Sequence, residues 1–299
     1  MISQVRRFNR TVTQRIGALD DAFLARDRPL GQARLLWEIG PDGSDVRALR
    51  ARLGLDSGYL SRLLRSLAGD GLITVTPSEA DGRVRLAALT SAGQAERVEL
   101  DRLSDAAAGA ILGSLSQRQR DRLVTAMAEV EKLLTASAIE LAGTDPRAPA
   151  ARACQRAYAS ELAVRFAAGY DPAQTMTPGD ADLTPPAGLL LVASLHGEPV
   201  GCGAVILAGT GPAKIRRMWV SAGVRGLGLG RRILAGLEAY ATASGATAVR
   251  LETNRALTEA ISLYRSAGYR EVPAFSDERY AHHWFEKTLP VSRDRCAGR

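Results

Sequence analysis

The stretch Met218-Trp-Val-Ser-Ala-Gly-Val-Arg-Gly-Leu-Gly-Leu-Gly-Arg-Arg-Ile-Leu234 decides the fold of the second half of this 299-residue chain. Its pattern predicts a strand over 214–220, a glycine-rich turn over 225–230 and a helix that begins at Arg231. Glycine stands at every second position of the turn, at Gly226, Gly228 and Gly230. Because these positions lack a Cβ, backbone N–H groups can converge on an anion beside the positive end of the helix. Three arginines flank the turn, namely Arg225, Arg231 and Arg232. We therefore predict a phosphate-bearing ligand.

The spacing of the glycines separates this turn from two common nucleotide-binding loops. No Gly-Lys-Ser/Thr follows it, which excludes a Walker loop, and it fits the G-x-G-x-x-G pattern of dinucleotide sites poorly. The turn instead resembles motif A of the GNAT acetyltransferases, Q/R-x-x-G-x-G/A, through Arg225, Gly228 and Gly230. That resemblance implies that the loop holds the pyrophosphate of acetyl-CoA.

Composition narrows the class of protein. With 46% hydrophobic and 24% charged residues, the chain is typical of about two ordinary domains. It has no apolar run of about eighteen residues and no signal-like N-terminus, so we expect a cytoplasmic protein without a membrane partner. The cysteines Cys154, Cys202 and Cys296 are far apart, and the histidines lack ligand spacing, so we expect neither a disulfide framework nor a metal.

The net charge of +7 favours an anionic partner, although it does not locate one. Residues 143–299 hold 19 basic and 14 acidic residues, whereas residues 1–142 hold 20 and 18. The larger excess therefore lies with the glycine-rich turn, and DNA binding by the first half would depend on locally placed arginines.

The first half, residues 1–142, is predicted to be mainly helical. Apolar residues recur every three or four positions from Phe8 to Phe23, and further helices are expected over 30–39 and 46–53. Only Gly54, Leu55 and Asp56 precede a fourth helix, which is the short turn of a helix-turn-helix. We expect that helix to turn Tyr59 and four leucines inward. It leaves outside small and basic residues suited to a DNA groove, namely Ser57, Gly58, Ser61, Arg62 and Arg65.

Two strands, over 72–76 and 83–89, follow as a hairpin that presents Arg83 and Arg85. Helices from Thr90-Ser91 and over 116–141 complete this half. The pattern resembles the MarR-type winged-helix regulators. The resemblance rests on Leu55-Asp-Ser-Gly-Tyr-Leu-Ser-Arg-Leu-Leu-Arg-Ser-Leu67, Asp70-Gly-Leu-Ile73, Asp81-Gly-Arg83 and Leu89-Thr-Ser-Ala-Gly93. The resemblance implies a homodimer joined through its terminal helices and a palindromic double-stranded DNA operator. The alternative is a helical partner domain whose arginines form a solvated face.

The second half alternates helices and strands, as expected of an α/β domain. Strands are predicted over 189–195, 199–207, 214–220, 248–253 and 282–288, and helices over 155–166, 231–244 and 257–267. Leu263-Tyr-Arg-Ser-Ala-Gly-Tyr269 resembles motif B of the GNAT enzymes, which extends that resemblance over about residues 150–290. It implies that Tyr264 protonates the departing thiolate of coenzyme A as a general acid. The alternative for Tyr264 is a tyrosine that only packs its ring.

By the same resemblance, the acetyl-CoA site comprises Met218, Trp219, Val220, Arg225, Gly226, Leu227, Gly228, Leu229, Gly230, Arg231, Asn254 and Tyr264. Two positions depart from the family pattern. Leu257 stands where many GNAT enzymes carry an asparagine, for which Asn254 is a possible substitute, and Lys214 stands where the strand often begins with an acidic residue.

Direct acetyl transfer requires a group that accepts the proton of the amine. Glu252 and Glu161 are the candidates, although either carboxylate could instead be solvated or ion-paired. The amine acceptor is expected near Tyr158, Glu161 and Arg165 on the helix over 155–166. His282 and His283 are adjacent on a strand and therefore point to opposite faces.

We therefore expect an all-α-rich winged-helix DNA-binding domain over 1–142, a linker over 143–150, an α/β (α+β) GNAT domain with a mixed, mostly antiparallel sheet over 151–290, and a tail over 291–299. The predicted function is a regulator that is also an acetyl-CoA-dependent N-acetyltransferase of a small primary amine, with no metal. Two alternatives stay open. In one, the second domain senses acetyl-CoA or an amine without turnover; in the other, the first domain serves only to dimerise an enzyme.

Overall fold

The computed structural model describes residues 1–20, 22–78, 82, 84–167, 169–175, 178–209 and 211–290. The chain forms two compact units, Met1–Glu129 and Val130–Arg299. In the described part of the chain, no helix combines the length and the apolar character needed to cross a membrane.

The first unit is mainly helical and has a small three-stranded sheet of order β1-β3-β2. Its elements are α1 Ile2–Arg15, α2 Leu30–Ile39, β1 Ser44–Asp45, α3 Val46–Leu53, α4 Ser57–Gly69, β2 Ile73–Pro77, β3 Arg85–Leu89, α5 Ser91–Gly113 and the first part of α6 Gln117–Ala138, whose last residues belong to the second unit. The helix predicted through Phe23 ends earlier, at Arg15, and Gly17 follows with φ +66°. Phe23 instead belongs to a separate 3-10 turn and packs into the core of this unit.

The turn between α3 and α4 forms as the sequence predicts. Gly54 ends α3 in the left-handed conformation, and Asp56 caps α4 by accepting a hydrogen bond from the N–H of Tyr59 at 2.8 Å. The α4 leucines Leu60, Leu63, Leu64 and Leu67 are buried. Tyr59 differs from the prediction, because it is 38% exposed rather than turned inward.

The motif Leu89-Thr-Ser-Ala-Gly93 fixes the start of α5 against the end of α4. Thr90 accepts a hydrogen bond from the N–H of Gly93 at 3.1 Å and donates its own hydroxyl to the carbonyl of Gly71 at 2.7 Å. A Cβ on Gly93 would lie 1.9 Å from the carbonyl oxygen of Leu72. Only glycine allows the backbone to approach this closely, so close packing explains the glycine of this motif.

Over its described residues, the second unit has a seven-stranded sheet of order β4-β5-β6-β7-β8-β10-β9 and contains the helices α7, α8 and α9. Its elements are β4 Ile139–Gly143, α7 Pro149–Arg165, β5 Gly188–Leu195, β6 Glu198–Ile206, β7 Ala213–Val220, α8 Leu229–Ala243, β8 Ala248–Thr253, α9 Thr258–Ser266, β9 Arg270–Glu271 and β10 His283–Thr288. Every neighbouring pair is antiparallel except β7 with β8. This arrangement confirms the predicted mixed, mostly antiparallel sheet.

The start of the second unit differs from the prediction. The helix predicted over 116–141 ends at Ala138, and Ile139–Gly143 instead pairs with β5 at the edge of the sheet. Ile139 is 3% exposed in the core of this unit, so burial of its side chain stabilises the strand. The predicted linker therefore holds the last residue of β4 and the first residues of α7.

Candidate functional site

The site is built where β7 and β8 stop pairing. Their parallel register covers only Ala213 with Val249 and Lys214 with Arg250, so the sheet opens toward the carboxyl ends of the two strands. On the other side of β7 a β-bulge sets two residues, Arg217 and Met218, against Gly203 of β6. Such a bulge re-aims side chains, and here it does so beside the opening.

Close packing accounts for glycine at the bulge. A Cβ on Gly203 would lie 2.7 Å from the sulfur of Met218 and 2.6 Å from Cγ2 of Ile233. Arg217 has φ +55°, a left-handed conformation that is uncommon for a residue with a side chain. The bulge is therefore a strained feature held in place by its neighbours.

The glycine-rich turn leaves a row of backbone donors without partners. Gly226 and Gly228 have φ +77° and +76°, and Gly228 is the N-terminal cap of α8, which begins at Leu229 rather than at the predicted Arg231. Among the described residues, the N–H groups from Gly226 to Arg231 donate no hydrogen bond to backbone or side chain. A helix start with six unpaired N–H groups is suited to an anion such as a pyrophosphate.

The three arginines around the turn have different contacts. Arg225 donates to both carboxylate oxygens of Glu161 at 2.6 Å and to the carbonyl of Val220 at 3.0 Å. Arg231 bonds the Ser266 hydroxyl at 2.7 Å. Arg232 instead donates to the carbonyls of Ala136 and Ile139, at 3.0 and 2.9 Å, and so holds the segment that enters β4.

Two cavities meet at this opening. The first, which we call the loop cavity, has a volume of about 470 Å³ and lies against the glycine-rich turn, Trp219 and Val220. The second, which we call the tyrosine cavity, has a volume of about 340 Å³ and contains Tyr170, Tyr280 and Glu252 in its wall. Six residues line both cavities: Tyr158, Leu162, Met218, Leu257, Ala260 and Tyr264. A ligand in one cavity can therefore meet a ligand in the other beside these side chains.

Tyr264 of α9 lies at this junction and is 5% exposed. Within the described part of the chain its hydroxyl makes no hydrogen bond, and burial raises the pKa of the phenol above its usual value. Burial likewise raises the pKa of Tyr158. Both phenols are therefore protonated at neutral pH and able to donate.

The two carboxylates predicted as bases occupy opposite environments. The Glu252 side chain is 5% exposed and lies 2.6 Å from Arg216, which also contacts Glu278 at 3.2 Å. Burial is the main reason that the pKa of Glu252 is raised, Glu278 adds to it, and Arg216 opposes it. A buried carboxylate with a raised pKa in the wall of a cavity is a candidate proton acceptor.

Glu161 is held by three donors. Besides Arg225, it accepts hydrogen bonds from the Trp219 indole at 2.9 Å and from Arg165 at 3.2 Å. Burial would raise the pKa of Glu161, but these hydrogen bonds outweigh it and the pKa is lowered. Glu161 and Arg165 line the loop cavity and not the tyrosine cavity. The arrangement favours Glu161 as the residue that positions Arg225, and favours Glu252 over it as a base.

Asn254 bonds both its own loop and the segment that precedes β10. Its Nδ2 donates to the carbonyl of Tyr280 at 2.8 Å, and its Oδ1 accepts from the N–H of Ala256 at 2.9 Å. It lines only the tyrosine cavity, so the geometry does not favour it as a replacement for the missing asparagine. Leu229 is 2% exposed and Leu227 packs against the core, so these two residues offer the turn only their backbone.

The first unit presents its predicted DNA-binding residues outward. Ser57, Gly58, Ser61, Arg62 and Arg65 are all exposed on α4. The Arg62 guanidinium lies over the Tyr59 ring, 5.7 Å from its centroid. Arg85 is exposed and pairs with Pro77 at the end of the hairpin, whereas Asp81 and Arg83 lie outside the described residues.

Comparison with known proteins identifies both units. Residues 151–269 match the model of the acetyltransferase (GNAT) family, and residues 27–84 match that of the MarR family. The chain joins a MarR-family domain to a GNAT-family domain.

Individual relatives match parts of the chain. An IAA acetyltransferase of Azospirillum brasilense is 39% identical over 82 residues, which are 27% of this chain and 54% of that protein. An uncharacterized N-acetyltransferase of Schizosaccharomyces pombe is 34% identical over 101 residues, 33% of this chain and 59% of that protein. A GNAT acetyltransferase structure from Staphylococcus aureus, 18% identical with a TM-score of 0.46, aligns over 51% of this chain and 100% of its own. The chain thus spans little more than half the length of the curated relatives it matches.

Several cavity residues of the GNAT domain were not predicted from the sequence. Arg217, Glu278, Tyr170 and Tyr280 line the tyrosine cavity, although none was predicted as a site residue. The available signal was Arg216-Arg217, two adjacent arginines in the middle of a strand. His282 and His283 line neither cavity, and His283 contacts Glu271 at 2.6 Å.

Proposed function

We propose that the GNAT domain transfers an acetyl group from acetyl-CoA directly to a small primary amine. The observation that carries this proposal is the meeting of the loop and tyrosine cavities at Tyr264 and Met218. Two substrates bound in these cavities would contact each other without an intermediate attached to the protein. Direct transfer in a ternary complex is therefore favoured over a covalent relay.

The loop cavity fits a coenzyme A thioester. The six N–H groups from Gly226 to Arg231, which have no acceptor among the described residues, would bind the pyrophosphate, with the charge of Arg225 and Arg231 beside them. Met218, Trp219 and Val220 line the same cavity and would border the pantetheine arm. Glu161 would contribute indirectly by fixing Arg225.

Two side chains at the cavity junction would perform the proton transfers. As the amine nitrogen bonds to the thioester carbonyl carbon, Glu252 would accept its proton, directly or through one water molecule. As the C–S bond breaks, Tyr264 would donate its phenolic proton to the departing thiolate. The products are then an acetamide and free coenzyme A, and one proton passes from Glu252 to Tyr264 through solvent to restore the site.

The MarR domain would bind a palindromic operator as a homodimer. The outward arginines of α4 and the hairpin residue Arg85 support contacts with DNA bases and phosphates. Dimerisation is supported by large apolar side chains exposed on the outer helices, namely Ile2, Val5, Phe8, Val98, Val124 and Met127.

The first test is release of thiol from acetyl-CoA by the purified protein across a panel of primary amines. Turnover above the hydrolysis background, with a mass increase of one acetyl group on the amine, would support the enzyme. Calorimetric binding of acetyl-CoA without turnover would instead favour a domain that only senses the ligand. Absence of acetyl-CoA binding would refute the role of the glycine-rich turn. A mobility shift on the DNA upstream of its own coding region, with and without acetyl-CoA, tests the regulator.

A further inference from the structure

The tyrosine cavity contains a positive charge that the proposed chemistry does not use. Arg217 lies in its wall, half-buried on the bulge of β7. Its guanidinium makes one hydrogen bond to a described residue, from Nη2 to the carbonyl of Pro178 at 3.3 Å, and it forms no ion pair with a described carboxylate within 4.0 Å. The two other arginines of this cavity are paired, Arg152 with Asp180 at 2.7 Å and Arg216 with Glu252 at 2.6 Å. Arg217 therefore differs from these two arginines because it forms no ion pair with a described residue.

Two separate costs fall on this one residue. Burial lowers the pKa of Arg217, and the more distant Asp180 carboxylate offsets this only in part, so the guanidinium is partly removed from water without a directly paired anion among the described residues. Its backbone is also held at φ +55°, which is unfavourable for a residue with a Cβ. A charged side chain that is held at such an energetic cost without an ion-pair partner is typical of ligand-binding sites.

The position of Arg217 indicates which ligand it serves. It lines the tyrosine cavity and is absent from the wall of the loop cavity. It is therefore unsuited to the pyrophosphate and lies on the side where the amine would bind. Glu252, the proposed proton acceptor, lies in the same wall. The cavity thus offers an anion site and a proton acceptor to one small molecule.

We propose that the acceptor is an amine that also carries a carboxylate, an amino acid or a derivative of one, and that Arg217 binds this carboxylate. This proposal rests on the proposed acetyl transfer and names its substrate class. A guanidinium can bind a carboxylate through two parallel hydrogen bonds, which orients the ligand as well as attracting it. With the carboxylate fixed at Arg217, the amine is left to face Glu252 and the junction at Tyr264.

The neighbouring aromatic residues provide an apolar wall for the rest of such a ligand. Tyr170 and Tyr280 have ring centroids 5.2 Å apart, and Phe166 lies 5.8 and 5.7 Å from them. All three line the tyrosine cavity. Amino acids with an aromatic or long apolar side chain are therefore the first to be tried.

The test compares acceptors that differ only in the carboxylate. The pairs are L-phenylalanine with 2-phenylethylamine and L-methionine with 3-(methylthio)propylamine, assayed with the wild type and with Arg217→Asn. Asparagine tolerates the left-handed backbone, so this variant removes the charge with little added strain. Arg217→Lys restores a charge, and Arg156→Ala, an exposed arginine of α7 outside both cavities, is the matched control.

We expect wild-type kcat/KM to favour the carboxylate member of each pair, and Arg217→Asn to reduce that preference by about 10- to 100-fold. The loss should appear in KM for the acid, while kcat/KM for the decarboxylated amine and KM for acetyl-CoA stay within about threefold. Comparing the ratio between variants cancels the different basicities of the two amines. Arg217→Lys should recover part of the preference, and Arg156→Ala should equal the wild type.

Two results would overturn the proposal: equal use of both members by the wild type, or an equal loss on both members in Arg217→Asn. If no amine is acetylated, the proposed transfer fails separately. The substrate class is then decided by calorimetric titration of L-phenylalanine and 2-phenylethylamine into each variant. Binding of the acid that depends on Arg217 would support the carboxylate site, and its absence would reject it.

Discussion

Replacing Tyr264 by phenylalanine removes one oxygen atom at the meeting point of the two cavities. The expected consequences for stability and for turnover have different sizes, so one variant separates packing from chemistry. Tyr264 is 5% exposed, and its ring lies against Tyr269 and Phe285 with centroids 5.9 and 6.0 Å away. Phenylalanine keeps these ring contacts, and no hydrogen bond to a described residue is lost. The free energy of unfolding should therefore stay within about 0.5 kcal/mol of the wild type.

Turnover should respond strongly. General acid catalysis contributes about 10²- to 10⁴-fold, and a thiolate is a comparatively good leaving group, so we expect the lower end of that range. A loss of about 100-fold in kcat corresponds to roughly 2.7 kcal/mol in the activation free energy. Because the proposed role of the hydroxyl is at the thioester sulfur and not at the pyrophosphate, KM for acetyl-CoA should change less than threefold.

The assay is thiol release at saturating amine, combined with thermal unfolding of both proteins. Tyr240→Phe is the control, since Tyr240 is a half-buried tyrosine of α8 that lines neither cavity. It should match the wild type in kcat. Wild-type kcat in Tyr264→Phe would refute the assignment of the acid, and a parallel fall in stability and activity would indicate that the tyrosine acts only by packing.

Three further predictions test other parts of the chain. Gly93→Ala should destabilise the MarR domain by more than about 3 kcal/mol in denaturant unfolding, because its Cβ would clash with Leu72, whereas Gly109→Ala in the same helix, in open space, should not destabilise it. Arg62→Ala should weaken operator binding in gel shifts at least tenfold. The control Arg118→Ala, on the exposed surface of α6, should bind like the wild type. Unchanged affinity for Arg62→Ala would rule out α4 as the recognition helix. The base must be ionised and burial raises the pKa of Glu252, so wild-type kcat should fall as the pH is lowered through that raised pKa. Glu252→Gln should lose this limb together with about 10²-fold in kcat, while a limb that persists would assign it to another group; Glu198→Gln, outside both cavities, should keep the wild-type profile.

Local signals predicted the parts of the structure that local chemistry determines. The glycine-rich turn, the capped turn between α3 and α4 and most of the helices and longer strands follow from glycine positions, capping residues and apolar periodicity. The strand β4 could not be found this way, because Ile139-Glu-Leu-Ala-Gly143 continues a helical pattern. Its strand conformation comes from pairing with β5, about fifty residues later. Tertiary pairing overrides local preference at such an edge.

The same limit explains why Glu161 and Glu252 looked equivalent in the sequence. Each is a carboxylate that the sequence places near the expected substrates. The basicity of each depends on the hydrogen-bond donors and charges that lie beside it in the folded protein. Arg225 and Trp219 reach Glu161 across about sixty positions of sequence, and their hydrogen bonds lower its pKa. Glu252 is paired with a single arginine that it shares with Glu278, so burial dominates and its pKa rises. The opposite pKa shifts of these two carboxylates therefore depend on the packing of β7 against α7 and β8. That same packing leaves Arg217 as the cation of the tyrosine cavity that has no ion-paired carboxylate among the described residues. Arg216 and Arg217 are neighbours on the bulged strand β7. We therefore expect this one strand to influence both which acceptor binds and which carboxylate acts as the base.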